Sequence, residues 1–430
     1  MTVACYPVWP ADPGRPVPIS REVSRLSKVF LHIGEPKTGT TFLQQVMWRN
    51  RAELSAQGIV LPGHHAQDHY RASQDLRGMQ KKESDPAGSW TGEWDILAQQ
   101  AQQAPAAAVI SHELFSACDD EQAERAVRSL QPAEVHVVLT VRDMATLLPA
   151  EWQETVKHRN GKDWEGWLED VIDRESTAPD RRQFWFWRVH DTLAIGALWA
   201  QFLPPERVHV IVNAPKGAPG SLLWERWAAL IGADPGSVDL SRARQNTSLG
   251  MAEIEFLRRL NQELTTDVPD WFYMWNVKEA VAHRAFAGRP AGPRLVLPAE
   301  RDGWAKEQAE TLITGLRESG FDIIGTVDDL RPQPAGPPFG PADVPEGQIL
   351  DAAVAAAAAL VANQYRKQFP PAKPQVKTSA AGGMAGRIES VVASSPRLKR
   401  AVRQASSRYP AVRRLRIAAW RALERTRKGS

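Results

Sequence analysis

KVFLHIGEPKTGTTFLQQVMWRN, residues 28–50, decides how the rest of the chain is read. Its opening run, Val29-Phe30-Leu31-His32-Ile33, is β-branched and aromatic as a buried strand requires, and Gly34 and Pro36 end it. From Thr40 onward Phe42, Leu43, Val46 and Met47 recur at helical spacing, so Thr38-Gly39-Thr40-Thr41 stands where a helix begins. The unpaired N–H groups and the dipole of such a helix start attract an anion. Lys37 adds a full positive charge, and the hydroxyls of Thr38, Thr40 and Thr41 add short donors. Strand, tight turn and helix together predict a phosphate cradle.

The place of the lysine selects among phosphate cradles. A Walker A loop needs G-x-x-x-x-G-K-[ST]; Gly34 and Gly39 have that spacing, but Thr40 stands where the lysine belongs, and Lys37 precedes the second glycine. With its lysine displaced in this way, HIGEPKTGTTFLQ resembles the 5′-phosphosulfate loop of sulfotransferases that use 3′-phosphoadenylyl sulfate (PAPS). The resemblance continues through Asn50-Arg51, Leu54, Gly58 and Pro62, as in bacterial members of that family.

Later apolar runs extend the pattern. Residues 106–110 (AAAVI) lead into Ser111-His112-Glu113, which places titratable groups at the carboxyl edge of a parallel sheet, where open α/β folds bind ligands. Successive side chains of a strand face opposite sides, so one of His112 and Glu113 is expected to point into the site. The resemblance implies a general base from this region. Its Ser-x-Glu pattern matches Ser111 and Glu113, which makes Glu113 the first choice and His112 the second; the alternative is that Glu113 caps the following helix. Residues 135–141 (VHVVLTV) form the clearest strand and end in Arg142-Asp143. Here the resemblance is to the 3′-phosphate-binding stretch, in which an Arg and a Ser eight residues later hold the ribose phosphate. Arg142 fits, whereas the Ser position falls on Ala150. A structural Arg142–Asp143 ion pair is the competing reading.

A further strand is expected at residues 208–212 and helices at 164–172, 190–202, 222–231 and 252–264, the last with Ser248 as N-cap. Alternating strands and helices imply a mostly parallel sheet covered on both faces. The predicted fold class is therefore a P-loop-like three-layer α/β/α architecture with a helical basic C-terminal tail. The segment at 64–88 reads as loop and short helix. Its His64, His65 and His69 read as solvated histidines rather than metal ligands, because no cysteine or acidic ligand pattern accompanies them. Of the 16 tryptophans, several cluster between residues 152 and 227, as core or as the lining of an acceptor groove. The basic-aromatic stretch at 180–187 is read in the same two ways, and a nucleic-acid partner is not favoured.

Length and composition fit a globular protein: 430 residues, 43% hydrophobic and 24% charged. Two cysteines, Cys5 and Cys118, suit a reducing compartment, and no secretion signal or membrane span is read. The expected location is cytoplasmic, with a peripheral position at the inner membrane face as an option. Residues 381–430 hold 13 Lys/Arg against 2 Asp/Glu, a surplus of 11 in a chain of net charge +3, which leaves −8 on residues 1–380. Residues 1–27 read as a lead-in, 28–330 as the body, 331–347 as a Pro/Gly linker, 348–368 as an Ala-rich helix and 369–430 as a basic, partly helical tail. That tail is suited to an anionic membrane surface or to solvent.

The resemblance implies transfer of a sulfonate group from PAPS to a hydroxyl or amine of a small-molecule, carbohydrate or lipid-linked acceptor, without a metal. Lys37 and Thr38-Gly39-Thr40-Thr41 would hold the 5′-phosphate, Arg142 the 3′-phosphate, and Glu113 or His112 would take the acceptor proton. A P-loop kinase or triphosphatase, and a non-catalytic nucleotide-binding scaffold at a membrane surface, are the alternatives.

Overall fold

The computed structural model describes residues 27–79, 90–215, 217–243, 249–290, 292–333 and 336–369. The Asn246-Thr247-Ser248 stretch, the N-terminal lead-in and the basic tail lie outside these residues.

Six parallel strands form one sheet: β1 Lys28–Gly34, β2 Ile59–Val60, β3 Ala107–Ser111, β4 Glu134–Val141, β5 Val208–Val212 and β6 Asp322–Ile324, in the order β2-β3-β1-β4-β5-β6. In register, Leu31 of β1 lies between Ile110 of β3 and Val137 of β4. From β1 the chain travels toward β2 and β3, then crosses back over β1 to β4. The carboxyl ends of β3, β1 and β4 therefore meet at a topological switch point, the usual ligand crevice of such sheets.

The strands read as continuous apolar runs because both faces are covered. Alternate residues of β1 enter different cores. Val29, Leu31 and Ile33 pack with residues of the helices Ala66–Leu76, Glu93–Ala101, Asp120–Leu130, Thr192–Ala200 and Asp302–Glu318; Phe30 packs with those of Thr40–Arg49 and Leu222–Ile231. This is the three-layer α/β/α fold that the sequence predicts.

A third, purely helical core lies beyond the sheet. The helices Met144–Lys157 and Met251–Glu263 and the wound segment Met274–Ala285 meet there around Trp152, Trp164, Leu257 and Val281. The Ala-rich segment is the helix Glu346–Gln368, and its Ile349, Ala352 and Ala356 are buried in this core. The Pro/Gly stretch before it also lies against the body: Val296 N–H donates to the Phe339 carbonyl at 3.2 Å, and Val344 is buried.

Several expectations are corrected. The helix Met251–Glu263 starts at Gly250, an extended N-cap without a side-chain bond, not at Ser248. The expected helix at 190–202 is Thr192–Ala200, capped by Asp191 through Ala194 N–H, and a separate short helix, Trp185–His190, precedes it. Residues 66–76 form a full helix rather than a short one. Trp152, Trp164, Trp187, Trp199, Trp224 and Trp227 are all almost fully buried and belong to the core, whereas Trp185 in the same span is 47% exposed. Among the described residues, no helix is long and apolar enough to cross a membrane.

Candidate functional site

β1 ends at Gly34, and five residues later the helix Thr40–Arg49 begins on Gly39, whose φ of 92° lies in the left-handed region. A Cβ at Gly39 would come within 2.4 Å of Leu223 Cδ2, so both conformation and space require glycine there. Lys37 also has a positive φ, 59°. Three bonds hold this loop on the sheet edge, and a fourth closes it on itself. Glu35 N–H donates to the Thr140 carbonyl at 2.9 Å, Asn213 Nδ2 to the Thr38 carbonyl at 3.1 Å and Arg142 Nη1 to the Lys37 carbonyl at 3.0 Å; Thr38 Oγ1 donates to the Glu35 carbonyl at 2.5 Å.

Thr38 is fully buried, and its hydroxyl also lies 2.6 Å from Thr140 Oγ1. It is a tie within the loop, so its offer to an anion is confined to its backbone N–H. Thr40 and Thr41 occupy the first turn, where N–H groups lack intrahelical acceptors. Beneath the loop, His32 Nδ1 meets Ser111 Oγ at 2.8 Å, and Nε2 lies 3.5 Å from Thr140 Oγ1. Burial pushes the His32 imidazole down to about 3, so it links three strands as a neutral ring.

Arg142 extends from the end of β4 to the cradle itself. Its Nε is buried without a partner, and burial lowers its pKa. Asp143 does not pair with it; its carboxylate caps the helix Met144–Lys157 through Thr146 N–H at 2.9 Å. Ala150, on that same helix, has no hydroxyl to offer.

His112 and Glu113 lie just past β3, which ends at Ser111, so strand alternation does not govern them; their side chains come within 4.0 Å of each other but take different partners. Glu113 faces the cradle: Gln44 Nε2, on the helix Thr40–Arg49, donates to its Oε2 at 3.2 Å, and a Cβ on Gly34 would come within 3.2 Å of Glu113 Cα, Cβ and carbonyl oxygen. Burial alone would raise its pKa, but His112, backbone and Gln44 hydrogen bonds and Lys37 outweigh this and lower it. His112 instead accepts the Leu114 N–H on Nδ1 at 3.2 Å and packs on Tyr70. The ring's lone pair is therefore used in capping the turn Glu113–Ala117, and Nε2 carries the proton. His112, not Glu113, is the cap.

Sequence reasoning missed the groups that surround Lys37. Its Nζ pairs with Glu154 Oε2, which Lys157 also reaches at 2.5 Å. Glu154 Oε1 takes Lys278 at 3.0 Å and lies 3.2 Å from His158 Nε2. Three lysines and His158 hold the Glu154 carboxyl well below its usual range despite burial. Glu151, Glu154 and Lys157 are spaced by three on one helix, a pattern visible in the sequence; Lys278 carries no local signal.

A second buried group adjoins the cradle. His190 lies between two carboxylates, with Nδ1 3.6 Å from Glu35 Oε2 and Nε2 3.7 Å from Glu151 Oε2. Burial pulls its pKa down, but the two carboxylates prevail and raise it to about 9. At these distances the pairs are ionic contacts rather than hydrogen bonds, and both ring nitrogens lack a bonded partner. Glu35 also accepts from Thr192 Oγ1 at 2.5 Å.

The histidines at 64–69 divide. His64 and His65 are exposed, but His69 is fully buried, with Nε2 2.8 Å from the Pro62 carbonyl and Nδ1 accepting Ser111 N–H at 3.0 Å. His69 is thus a structural clasp on the end of β3 and not a solvated residue. Among the described residues, no group of three or more His, Cys, Asp or Glu is arranged to hold a metal ion.

Comparisons with protein-family models, curated proteins and solved structures return no match to this chain.

Proposed function

We propose that the protein is a sulfotransferase that moves a sulfonate group from PAPS to a hydroxyl or amine of an acceptor. The observation that carries this reading is the convergence, on one loop, of Lys37 placed before Gly39, the start of the helix Thr40–Arg49, Arg142 from the next strand and Glu113 opposite.

These residues suit the donor. The buried, unpartnered Nε of Arg142 is a cationic donor in need of an anion, and Lys37 and the N–H groups of Thr38 to Thr41 present further positive charge. Lys37 and the helix start would hold the 5′-phosphate and Arg142 the 3′-phosphate. Bound PAPS supplies an activated sulfonate, whose transfer breaks its bond to the 5′-phosphate and forms one to the acceptor oxygen or nitrogen. Lys37 stabilises the charge that develops on the departing phosphate. Glu113, ionised and turned to the cradle, takes the acceptor proton. His112 cannot do so without giving up its cap.

The test compares thermal stabilisation by 3′-phosphoadenosine 5′-phosphate (PAP) with that by ATP and Mg²⁺, followed by incubation with labelled PAPS and host lipid and polysaccharide extracts. Selective stabilisation by PAP and an added sulfonate on an extract component are expected. Stabilisation by ATP and Mg²⁺ alone would indicate a kinase or triphosphatase. Tight PAP binding without transfer would indicate a scaffold. Binding to phosphatidylserine vesicles, lost in high salt and on truncation after Phe369, tests a peripheral membrane position, which the basic composition of the tail supports.

A further inference from the structure

Lys37, Lys157 and Lys278 all converge on Glu154; Glu151, the other acid near Lys37, already faces His190, so the three lysines keep a positive surplus. All three are more than two-thirds buried, at 27%, 19% and 13% side-chain exposure, so solvent compensates the surplus poorly. Mutual repulsion and burial together lower the Lys157 pKa, and Lys157 and Lys278, added to burial, depress that of His283. Such a partly desolvated concentration of one sign attracts an anion. Lys37 already has a task at the departing phosphate, which leaves Lys157 and Lys278 with a surplus charge.

The segment carrying Lys278 also carries apolar surface. Met274 and Trp275 precede Lys278 by about one turn and are 36% and 55% exposed, beside the exposed Trp271 and Phe272. Exposed aromatic and thioether side chains within about one turn of Lys278 on the same segment fit a molecule with one flat or apolar face and one acidic group.

We propose that the acceptor is an acidic, ring-bearing molecule whose anionic group sits on Lys157 and Lys278 while its ring lies on Met274 and Trp275. This rests on the sulfotransferase reading and narrows its acceptor class. The surplus charge selects the acceptor rather than serving the donor.

Calorimetric titration of the full-length chain with 4-nitrophenyl β-D-glucuronide and 4-nitrophenyl β-D-glucoside, with and without PAP, tests it. The two probes share a ring and sugar and differ in one carboxylate. The glucuronide is expected to bind about ten-fold more tightly. Lys278→Gln and Lys157→Gln should each bring that ratio close to one, Lys278→Arg should keep it, and PAP affinity should change less than about two-fold in Lys278→Gln. Equal binding of the two probes, no glucuronide binding in the millimolar range, or a ratio unmoved by both Gln variants overturns the proposal. So does a loss of PAP affinity in Lys278→Gln as large as its loss of glucuronide affinity, because the lysines would then serve the donor. The wild-type ratio needs no variant and so does not depend on either one folding. If PAP fails to bind the wild-type chain, the sulfotransferase reading falls, while the glucuronide-to-glucoside ratio still decides whether the anion site exists.

Discussion

Lys37 and Glu113 divide the proposed chemistry between charge stabilisation and proton removal, and their variants should differ accordingly. Lys37→Ala removes the cation at the departing phosphate and should lower kcat by about 10²-fold or more, with PAP affinity reduced as well. Glu113→Gln should lower kcat by about 10²- to 10⁴-fold with PAP affinity nearly intact, while His112→Asn, which preserves a capping acceptor, should stay within a few-fold of wild type. The pH profile separates the two bases further. A carboxyl held below its usual value is ionised above that value, so the acid limb due to Glu113 should lie below about 4.5. A limb near 6.5, removed by His112→Asn, would transfer the role to His112. At this scale the sequence reveals Lys37, Glu113 and Arg142 because each stands at the end of a strand, where a local pattern fixes its place. The pairing of Glu154 with Lys37 and Lys278 is not legible, since it spans 117 and 124 positions of chain, although the Glu151-Glu154-Lys157 spacing is local. The burial of His69 is hidden for the same reason: its partners Pro62 and Ser111 are backbone groups that no side-chain pattern announces.

Between elements, the Glu35–His190–Glu151 contact joins the cradle loop to the helix Trp185–His190 and to the helix that carries Glu154. The His190 pKa rises from 6.5 to about 9, so its contribution is fully present below pH 6.5 and is lost as pH rises through 9. That window holds on the order of 3 kcal/mol of stability. Urea denaturation at pH 6.5 and pH 9.5 should show this loss in the wild-type chain. His190→Gln should be destabilised by about 3–5 kcal/mol at pH 6.5, because it leaves two buried carboxylates facing each other, and should show a much smaller loss between the two pH values. Equal pH slopes in both chains would sink the idea. The close contact of the helices Thr192–Ala200 and Asp302–Glu318 makes a separate demand. A Cβ on Gly315 would fall 2.4 Å from Leu193 Cδ1, so Gly315→Ala should cost about 1–3 kcal/mol, read as a lower urea midpoint at unchanged m. Four strands were legible because each is an apolar run buried on both faces. The two edge strands, Ile59–Val60 and Asp322–Ile324, have only two and three residues, too short for their pattern to separate them from a loop.

Across the whole molecule, the helical core links the last described helix to the proposed acceptor side. Composition marks residues 348–368 as helical but does not say what the helix covers, because alanines offer a weak amphipathic signal. The structure supplies the partners: Ile349, Ala352 and Ala356 are buried, Glu346 forms a two-pronged pair with Arg259 at 2.7 and 2.9 Å, and Lys367 bonds Asn276 Oδ1 at 2.6 Å. Asn276 belongs to the segment that bears Lys278, so this helix braces that segment from behind. Two truncations separate bracing from tail function. Ending the chain after Phe369 retains all of these partners and should leave the melting temperature and glucuronide binding unchanged. Ending it before Glu346 removes the burial of one isoleucine and two alanines and strips the cover from their neighbours, at a cost of about 3 kcal/mol or more. The loss should fall unequally on the site. The cradle loop is held on β1, β4 and β5 by its own backbone bonds rather than by this helix, so PAP affinity should persist while glucuronide affinity falls. A parallel loss of both would mean that the sheet edge and the helical core act as one cooperative unit, with no separate acceptor-side support.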